Sequence, residues 1–411
     1  MRNTPAAKSA AAKSAAAEAS PANAALACVM GDMDMVRPLG LAGLRCAVVT
    51  HPGAPALHSR FTRDAILWDD PAHNPDGLVE VMMAFAKGQP EKPVLYYQDD
   101  TQLLLVSRNR DRLAEGFRFA IADAELVEDL VDKGRFQALA ERLNLPVPAT
   151  RRLSPTREAA PDVVDLRFPL IVKPLTRRRV WDEADGFAKA IQVDSADELR
   201  ALWPRLAAVG LDLLVQEMVP GPETRIESYH VYVDEGGGVA GEFTGAKIRT
   251  YPLAYGHSTA LTITDAPDVA ALGRSLTERL GLRGVAKFDF KRAPDGALHL
   301  LEVNPRFNLW HHLGAVAGVN LPALVHADLL GLPRPAVGKA RAGARWCHIT
   351  KDRLAARDSG LSMAAWLPWV LGCEAKAIAL DDPMPFLHNQ LARFLPSRAH
   401  HDAPDGAMKA Q

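Results

Sequence analysis

Asp289, Glu302 and Asn304, with Lys287 and Arg306 beside them, are the residues whose types and spacing could do chemistry. They fall in VAKFDFKRAPDGALHLLEVNPRFNLWHH, residues 285–312. Phe288 and Phe290 alternate with Lys287, Asp289 and Lys291, the period of a half-buried strand. In the second arm Leu300, Glu302 and Asn304 are expected to share a face. Asp295-Gly296 is a favoured centre for a two-residue hairpin turn, and the register it sets puts Asp289 opposite Glu302 and Lys287 opposite Asn304. Carboxylates opposed in this way lie roughly 5 Å apart at Cβ and repel. A hard cation between them would turn repulsion into a ligand set, and oxygen donors with room for phosphate oxygens suit magnesium better than zinc. Arg306, just past Pro305, adds a guanidinium where the strand must stop. Such a grouping suits a polyphosphate with its metals. A solvated edge hairpin is the other reading of the same charges.

The hairpin needs a scaffold, and the rest of the chain supplies its pattern. Apolar runs at 26–30, 44–50 and 93–97 alternate with helical stretches at 38–44 and 78–86, which argues for a parallel sheet. Gly31 is not followed by the G-x-G-x-x-G fingerprint, so a dinucleotide site is poorly supported. Gln98-Asp99-Asp100 follows a strand end, which reads either as the crevice of such a sheet or as a helix cap. Residues 132–145 have helical spacing, 168–174 (FPLIVKP) read as a strand with Lys173 near its end, and 195–203 as an amphipathic helix. Residues 213–222 (LLVQEMVPGP) lead into a Pro-Gly turn. Residues 227–233 and 239–249 form a hairpin around Gly236-Gly237-Gly238, with Lys247 and Arg249 alternating onto one face. That pair suits a carboxylate or a transferred phosphate. A helix at 268–280 leads into the hairpin, and 308–317 read as another after it.

The chain has 411 residues, 24% charged and 48% apolar, with a net charge of −1. That is the balance of a soluble protein of two or three domains and gives no reason to expect nucleic acid or a membrane as partner. Cys28, Cys46, Cys347 and Cys373 lack metal spacing and read as reduced thiols. With no secretory signal in the Ala-, Ser- and Lys-rich start, a cytoplasmic location is expected. His311 and His312 are adjacent and lack zinc spacing, and no hydrolase triad is visible.

KFDFK followed by EVNPRF, with Glu302 thirteen positions after Asp289, resembles the metal-binding hairpin of the ATP-grasp superfamily, which includes D-alanine:D-alanine ligase, carbamoyl phosphate synthetase and biotin carboxylase. The resemblance runs in order over about 26–332 and is nearest to the branch of D-aspartate ligase and related carboxylate–amine ligases. It implies an α/β fold of the ATP-grasp kind. A parallel-sheet domain (26–130) would precede an ATP-grasp domain (131–331) carrying a small lid (about 149–215) and an antiparallel catalytic sheet. A linker (332–345) and a small appendage (346–398) would follow, with tails at 1–25 and 399–411. It implies ATP, with magnesium (or manganese) on Asp289, Glu302 and Asn304. Lys133 and Lys173 would reach the nucleotide. Gln216, Glu217, Met218 and Val219 would meet adenine, and Glu223 the ribose. Lys287, Arg306 and Arg249 would serve the reacting phosphate or acyl phosphate. The partners implied are a small carboxylate and an amine, amino acids among the candidates, with a homodimer left open. One departure stands out: LTRRRVWDEADGF follows Lys173 where the D-alanine:D-alanine ligases have a glycine-rich loop, so Arg177–Arg179 either supply those phosphate contacts or are surface charge on a mobile lid.

Overall fold

The structure is a computed structural model, described here for residues 25–68, 74–160, 165–175, 180–181, 190–253, 256–376 and 379–392. Three short buried runs and one largely open edge strand make up its first sheet. Strands β1 (Ala27–Met30), β2 (Cys46–Thr50), β3 (Thr62–Leu67) and β4 (Val94–Tyr97) pair in the order β3-β2-β1-β4, with every pairing parallel. Helix α1 (Met33–Leu41) follows β1 with Asp32 as its N-cap, and α2 (Pro75–Lys87) starts on Pro75 behind the Asn74 cap. Edge strand β3, whose residues alternate weakly, has no counterpart in the sequence reading. Helix α3 (Asp100–Arg108) opens on a full capping box, Asp99 with Gln102, which gives Asp99 the cap role. Helices α4 (Arg110–Gly116), α5 (Ala124–Val131) and α6 (Lys133–Arg142) complete the first part.

The second sheet is four-stranded and antiparallel, β5 (Thr150–Leu153), β6 (Leu170–Pro174), β7 (Ile191–Val193) and β8 (Leu213–Glu217), in the order β5-β8-β6-β7. It has its own core, built from Leu170, Val172, Val215 and Trp203 of helix α7 (Ala196–Val209). Ser195 caps α7, which runs six residues past the expected end to Gly210, a left-handed C-cap.

The central sheet has seven strands. β9 (Ile226–Val233), β10 (Val239–Tyr251), β11 (His257–Thr264), β12 (Gly284–Arg292) and β13 (Leu298–Asn304) are joined by β14 (Arg345–Cys347) and β15 (Ala375–Lys376), in the order β13-β12-β9-β10-β11-β14-β15. The segment beyond 345 therefore extends this sheet instead of standing apart from it. Helices α8 (Pro267–Arg279), α9 (Trp310–Val316), α10 (Leu321–Leu329), α11 (Ile349–Asp358), α12 (Met363–Leu371) and α13 (Met384–Ala392) fill the remainder. One sheet face buries Tyr229, Val231, Phe288, Phe290, Leu300 and Val303, and the other buries Tyr232, Phe243, Leu261, Val285 and Trp310. Both cores run on into the first sheet, through Leu95 and Tyr97 on one side and Val29 and Tyr96 on the other. Among the described residues no helix is long and apolar enough to cross a membrane.

Candidate active site

The register of the β12–β13 hairpin arises in a way the sequence did not show. The turn holds three residues, Pro294, Asp295 and Gly296, closed by Ala293 N–H to the Ala297 carbonyl at 2.8 Å, with Gly296 at φ +92°. Next to it Phe290 pairs with Leu300, Lys291 with His299 and Arg292 with Leu298. Continued unchanged, that register would set Asp289 against Leu301 and drive Glu302 to the core face. A bulge at Leu301 adds the missing residue, so Asp289 pairs with Glu302 and Lys287 with Asn304 after all. The expectation that Leu300 shares a face with Glu302 and Asn304 is overturned for the same reason. Leu300 is fully buried with Phe288, Phe290 and Val303, while Glu302 lies exposed on the opposite face.

On that face the polar groups interlock. Ser228 Oγ donates to Asp289 Oδ1 at 2.5 Å, and Lys287 Nζ donates to Asp289 Oδ2 at 2.6 Å. The same ammonium lies 3.7 Å from Glu302 Oε1, so positive charge already sits between the two carboxylates. Asn304 Nδ2 donates to Glu302 Oε1 at 3.0 Å, and Arg306 Nη2 to Asn304 Oδ1 at 3.2 Å. Burial would push the Asp289 carboxyl up, but Lys287, Lys247 and the two hydrogen bonds hold it well below the usual carboxylate range. Burial likewise works against the Lys287 charge, and Asp289 and Glu302 override it, so that ammonium is held above its ordinary value. Asp289 is thus an ionised carboxylate at 3% exposure beside an open one, Glu302. Such oxygen donors fit a hard divalent cation.

Arg306 ends the hairpin and reaches the first sheet. Its Nε donates to Asp100 Oδ1 at 2.5 Å and its Nη1 to the Gln98 carbonyl at 2.9 Å. Asp100 and Ser228 were not marked as site residues by the sequence. Asp100 was visible only as part of an acidic strand end, and Ser228 carried no signal at all. Lys291, two residues past Asp289 on the same face, lies 3.9 Å from Glu223 Oε1 and links the turn after β8 to the hairpin.

A second group gathers at the end of β6. Lys133, the first residue of α6, donates to the Pro174 carbonyl at 3.3 Å, and Lys173 Nζ to Gln216 Oε1 at 3.4 Å. Gln216 Nε2 in turn donates to Thr150 Oγ1 at 2.9 Å. Glu217 points the other way, as strand alternation requires, and accepts from the Arg167 N–H at 2.8 Å. The N–H groups of Glu217 and Met218 donate to the carbonyls of Ala149 and Pro169, and Val219 is buried. Arg177–Arg179 lie outside the described residues.

Arg249 does not join either group. A register irregularity between Lys247 and Arg249 pairs the first with Leu261 and the second with the neighbouring Ala260, which ends the expected alternation onto one face. Arg249 instead makes a bidentate pair with Asp352 of α11, at 2.8 and 2.7 Å, and stacks over Trp369 with its guanidinium carbon 4.0 Å from the ring centroid. Asp352 is fully buried and also accepts from Thr259 and the Trp366 indole. The sequence assigned Arg249 to the reacting groups, whereas the structure makes it the fastening of the C-terminal segment.

Residues 211–352 match the family described as "ATP-grasp in the biosynthetic pathway with Ter operon". Over that segment the chain is similar to ATP-grasp proteins. The D-aspartate ligase of Enterococcus faecium (strain Aus0004) is 24% identical over 289 residues, covering 67% of this chain and 68% of that one. The D-alanine–D-alanine ligase of Stutzerimonas stutzeri (strain A1501) is 29% identical over 178 residues, covering 42% of this chain and 54% of its own length, so the match spans about half of it. The crystal structure of an L-amino acid ligase from Bacillus licheniformis shares the ATP-grasp fold, with TM-score 0.56 at 14% identity over 76% of this chain and 75% of that one. These relatives are ligases by name.

Proposed function

We propose that this chain is an ATP-grasp enzyme that joins a carboxylate to an amine through an acyl phosphate, releasing ADP and phosphate in a magnesium-dependent reaction. The observation that carries the reading is the single polar face on which Asp289, Glu302 and Asn304 lie beside Lys287 and Arg306. ATP would lie between this face and the end of β6, where Lys133, Lys173 and Gln216 converge. With the N–H groups of Glu217 and Met218 engaged inside the lid sheet, the donor to a purine edge would come from Val219, and Glu223 would serve the ribose.

A carboxylate oxygen attacks the γ-phosphorus and ADP leaves. The amine then attacks the acyl carbon, loses a proton, and phosphate departs with one oxygen of the original carboxylate. Such a transfer depends mainly on positioning and charge stabilisation. Lys287 and Arg306 steady the phosphoryl oxygens, and Ser228 fixes the Asp289 carboxylate. A divalent ion held by Asp289, Glu302 and Asn304 would neutralise phosphate charge when bound. An amino acid is the proposed substrate class, in line with the names of the ligases above.

The test is isotopic. A carboxylate substrate labelled with oxygen-18 should pass one labelled oxygen into the released phosphate. Phosphate without label, in a reaction that still makes the amide, would rule out the acyl phosphate.

A further inference from the structure

Lys291 is 8% exposed, and among the described residues its ammonium makes no hydrogen bond. Of the carboxylates described, only Glu223 lies within ion-pair range, at 3.9 Å, and its side chain makes no hydrogen bond either. The charges around them are fully engaged. Arg292 pairs with Glu227 and Asp268, and Arg225 donates to the carbonyls of Arg292 and Ala293. Buried charges are ordinarily hydrogen-bonded as well as paired, so Lys291 and Glu223 are incomplete within the chain.

The backbone sets the two side chains where they are. β9 starts at Ile226, directly opposite Lys291, and the single turn Glu223–Arg225 just before it brings Glu223 within reach. Arg225 clamps that turn to β12 through the two carbonyls. Lys291 shares its face with Asp289, two residues or roughly 7 Å along the strand.

We propose that Lys291 is a specificity residue for the nucleotide: one ribose hydroxyl of ATP accepts a hydrogen bond from its ammonium and donates one to Glu223. The assignment rests on the nucleotide placement proposed above and adds a second ribose contact to it. An ammonium only donates, a carboxylate only accepts, and a hydroxyl does both. An oxygen at roughly 2.8 Å from each partner spans the 3.9 Å between them. A phosphate oxygen would suit Lys291 but be repelled by Glu223, so the pair fits a neutral hydroxyl and not the triphosphate.

Calorimetric titration of the full chain with ATP, 2′-deoxy-ATP and 3′-deoxy-ATP, each with magnesium, tests this. The wild-type chain should bind one of the two analogues about a hundredfold more weakly than ATP, the loss of two hydrogen bonds to charged groups. Lys291→Met keeps the apolar stem and the Glu223 bond, so its preference for ATP over that analogue should fall to about tenfold. A lysine with a merely structural role would leave that ratio alone. Equal affinity of the wild-type chain for all three nucleotides overturns the proposal without the aid of any substitution. A variant that keeps the full wild-type preference overturns it too. A wild-type chain that binds none of the three overturns the nucleotide placement as well, which separates the two failures.

Discussion

Arg306 Nε donates to Asp100 Oδ1 at 2.5 Å, so the residue that ends the hairpin is fastened to the first turn of α3 in the first sheet domain. The same guanidinium reaches Asn304 and the Gln98 carbonyl. Because Asp100 is half exposed, its share of this contact is small, about 1 kcal/mol or less. Asp100→Ala should therefore change ADP release by less than about tenfold, whereas Arg306→Ala, which would also remove a phosphate contact, should lower it by roughly a hundredfold or more. Equal effects of the two substitutions, measured as kcat/KM for ATP, would make Arg306 a tether only.

Ser228 acts through Asp289. Removing its hydroxyl leaves a buried carboxylate short of one hydrogen bond, a loss of about 1–3 kcal/mol. Ser228→Ala should raise the magnesium concentration needed for half-maximal activity about ten- to a hundredfold while leaving KM for the amine in place. A shift in amine KM with an unchanged magnesium titration would assign Ser228 another role.

The Leu301 bulge is what brings Glu302 to the site face. Deleting Leu301 closes the bulge and leaves Asp289 opposite Glu302 and Lys287 opposite Asn304 in one continuous register, so the deletion should keep measurable activity. Inserting a glycine in the exposed turn after Gly296 should cost about 1 kcal/mol at most. Activity lost on the deletion while the melting temperature stays native would show that the bulge itself, and not the register alone, shapes the site.

Arg249 and Asp352 carry stability. Asp352 is fully buried, and Arg249→Ala leaves its carboxylate without its ion-pair partner, a loss of about 3–5 kcal/mol. Arg249→Lys should rescue this only in part, since lysine cannot form the fork or stack on Trp369 as arginine does. Thermal melts should show both losses. A variant of native melting temperature with collapsed turnover would return Arg249 to the reacting groups.

Two buried imidazoles set a pH dependence. Burial lowers His230 well below the ordinary histidine range, with His311 and Lys287 adding to it, and burial alone takes His311 to about 3. Both bind a proton more readily in the unfolded chain, so falling pH destabilises the fold. The loss begins near the unfolded value of about 6.5 and for His311 continues to about 3, at about 1.4 kcal/mol per pH unit for each histidine. His311→Phe should flatten the fall in melting temperature between about pH 7 and pH 5. An unchanged slope would mean that His311 is not the group responsible.

Much of this site was legible in the sequence because strand alternation, an acid pair and a Pro-terminated strand survive in one dimension. Asp289, Glu302, Asn304 and Lys287 met where period two put them. The register was reached by another route, since a three-residue turn and a bulge offset each other and neither leaves a mark in the pattern of apolar residues. Ser228 was invisible because its partner lies on a strand 61 residues away. Arg249 misled because a polar strand residue looks the same whether it faces a substrate or a buried carboxylate 103 residues on. The short strands β14 and β15, of three and two residues, carry too little periodicity to announce that they join the central sheet.

The most direct test of the account is ADP release by the purified chain across a panel of amino acids and small carboxylates, with and without an amine. Release that requires ATP, acid and amine together, and that falls at least a thousandfold (roughly 4 kcal/mol) in Asp289→Asn, is the predicted result. Turnover that ignores the amine, or that persists in Asp289→Asn with Glu302→Gln, would contradict it.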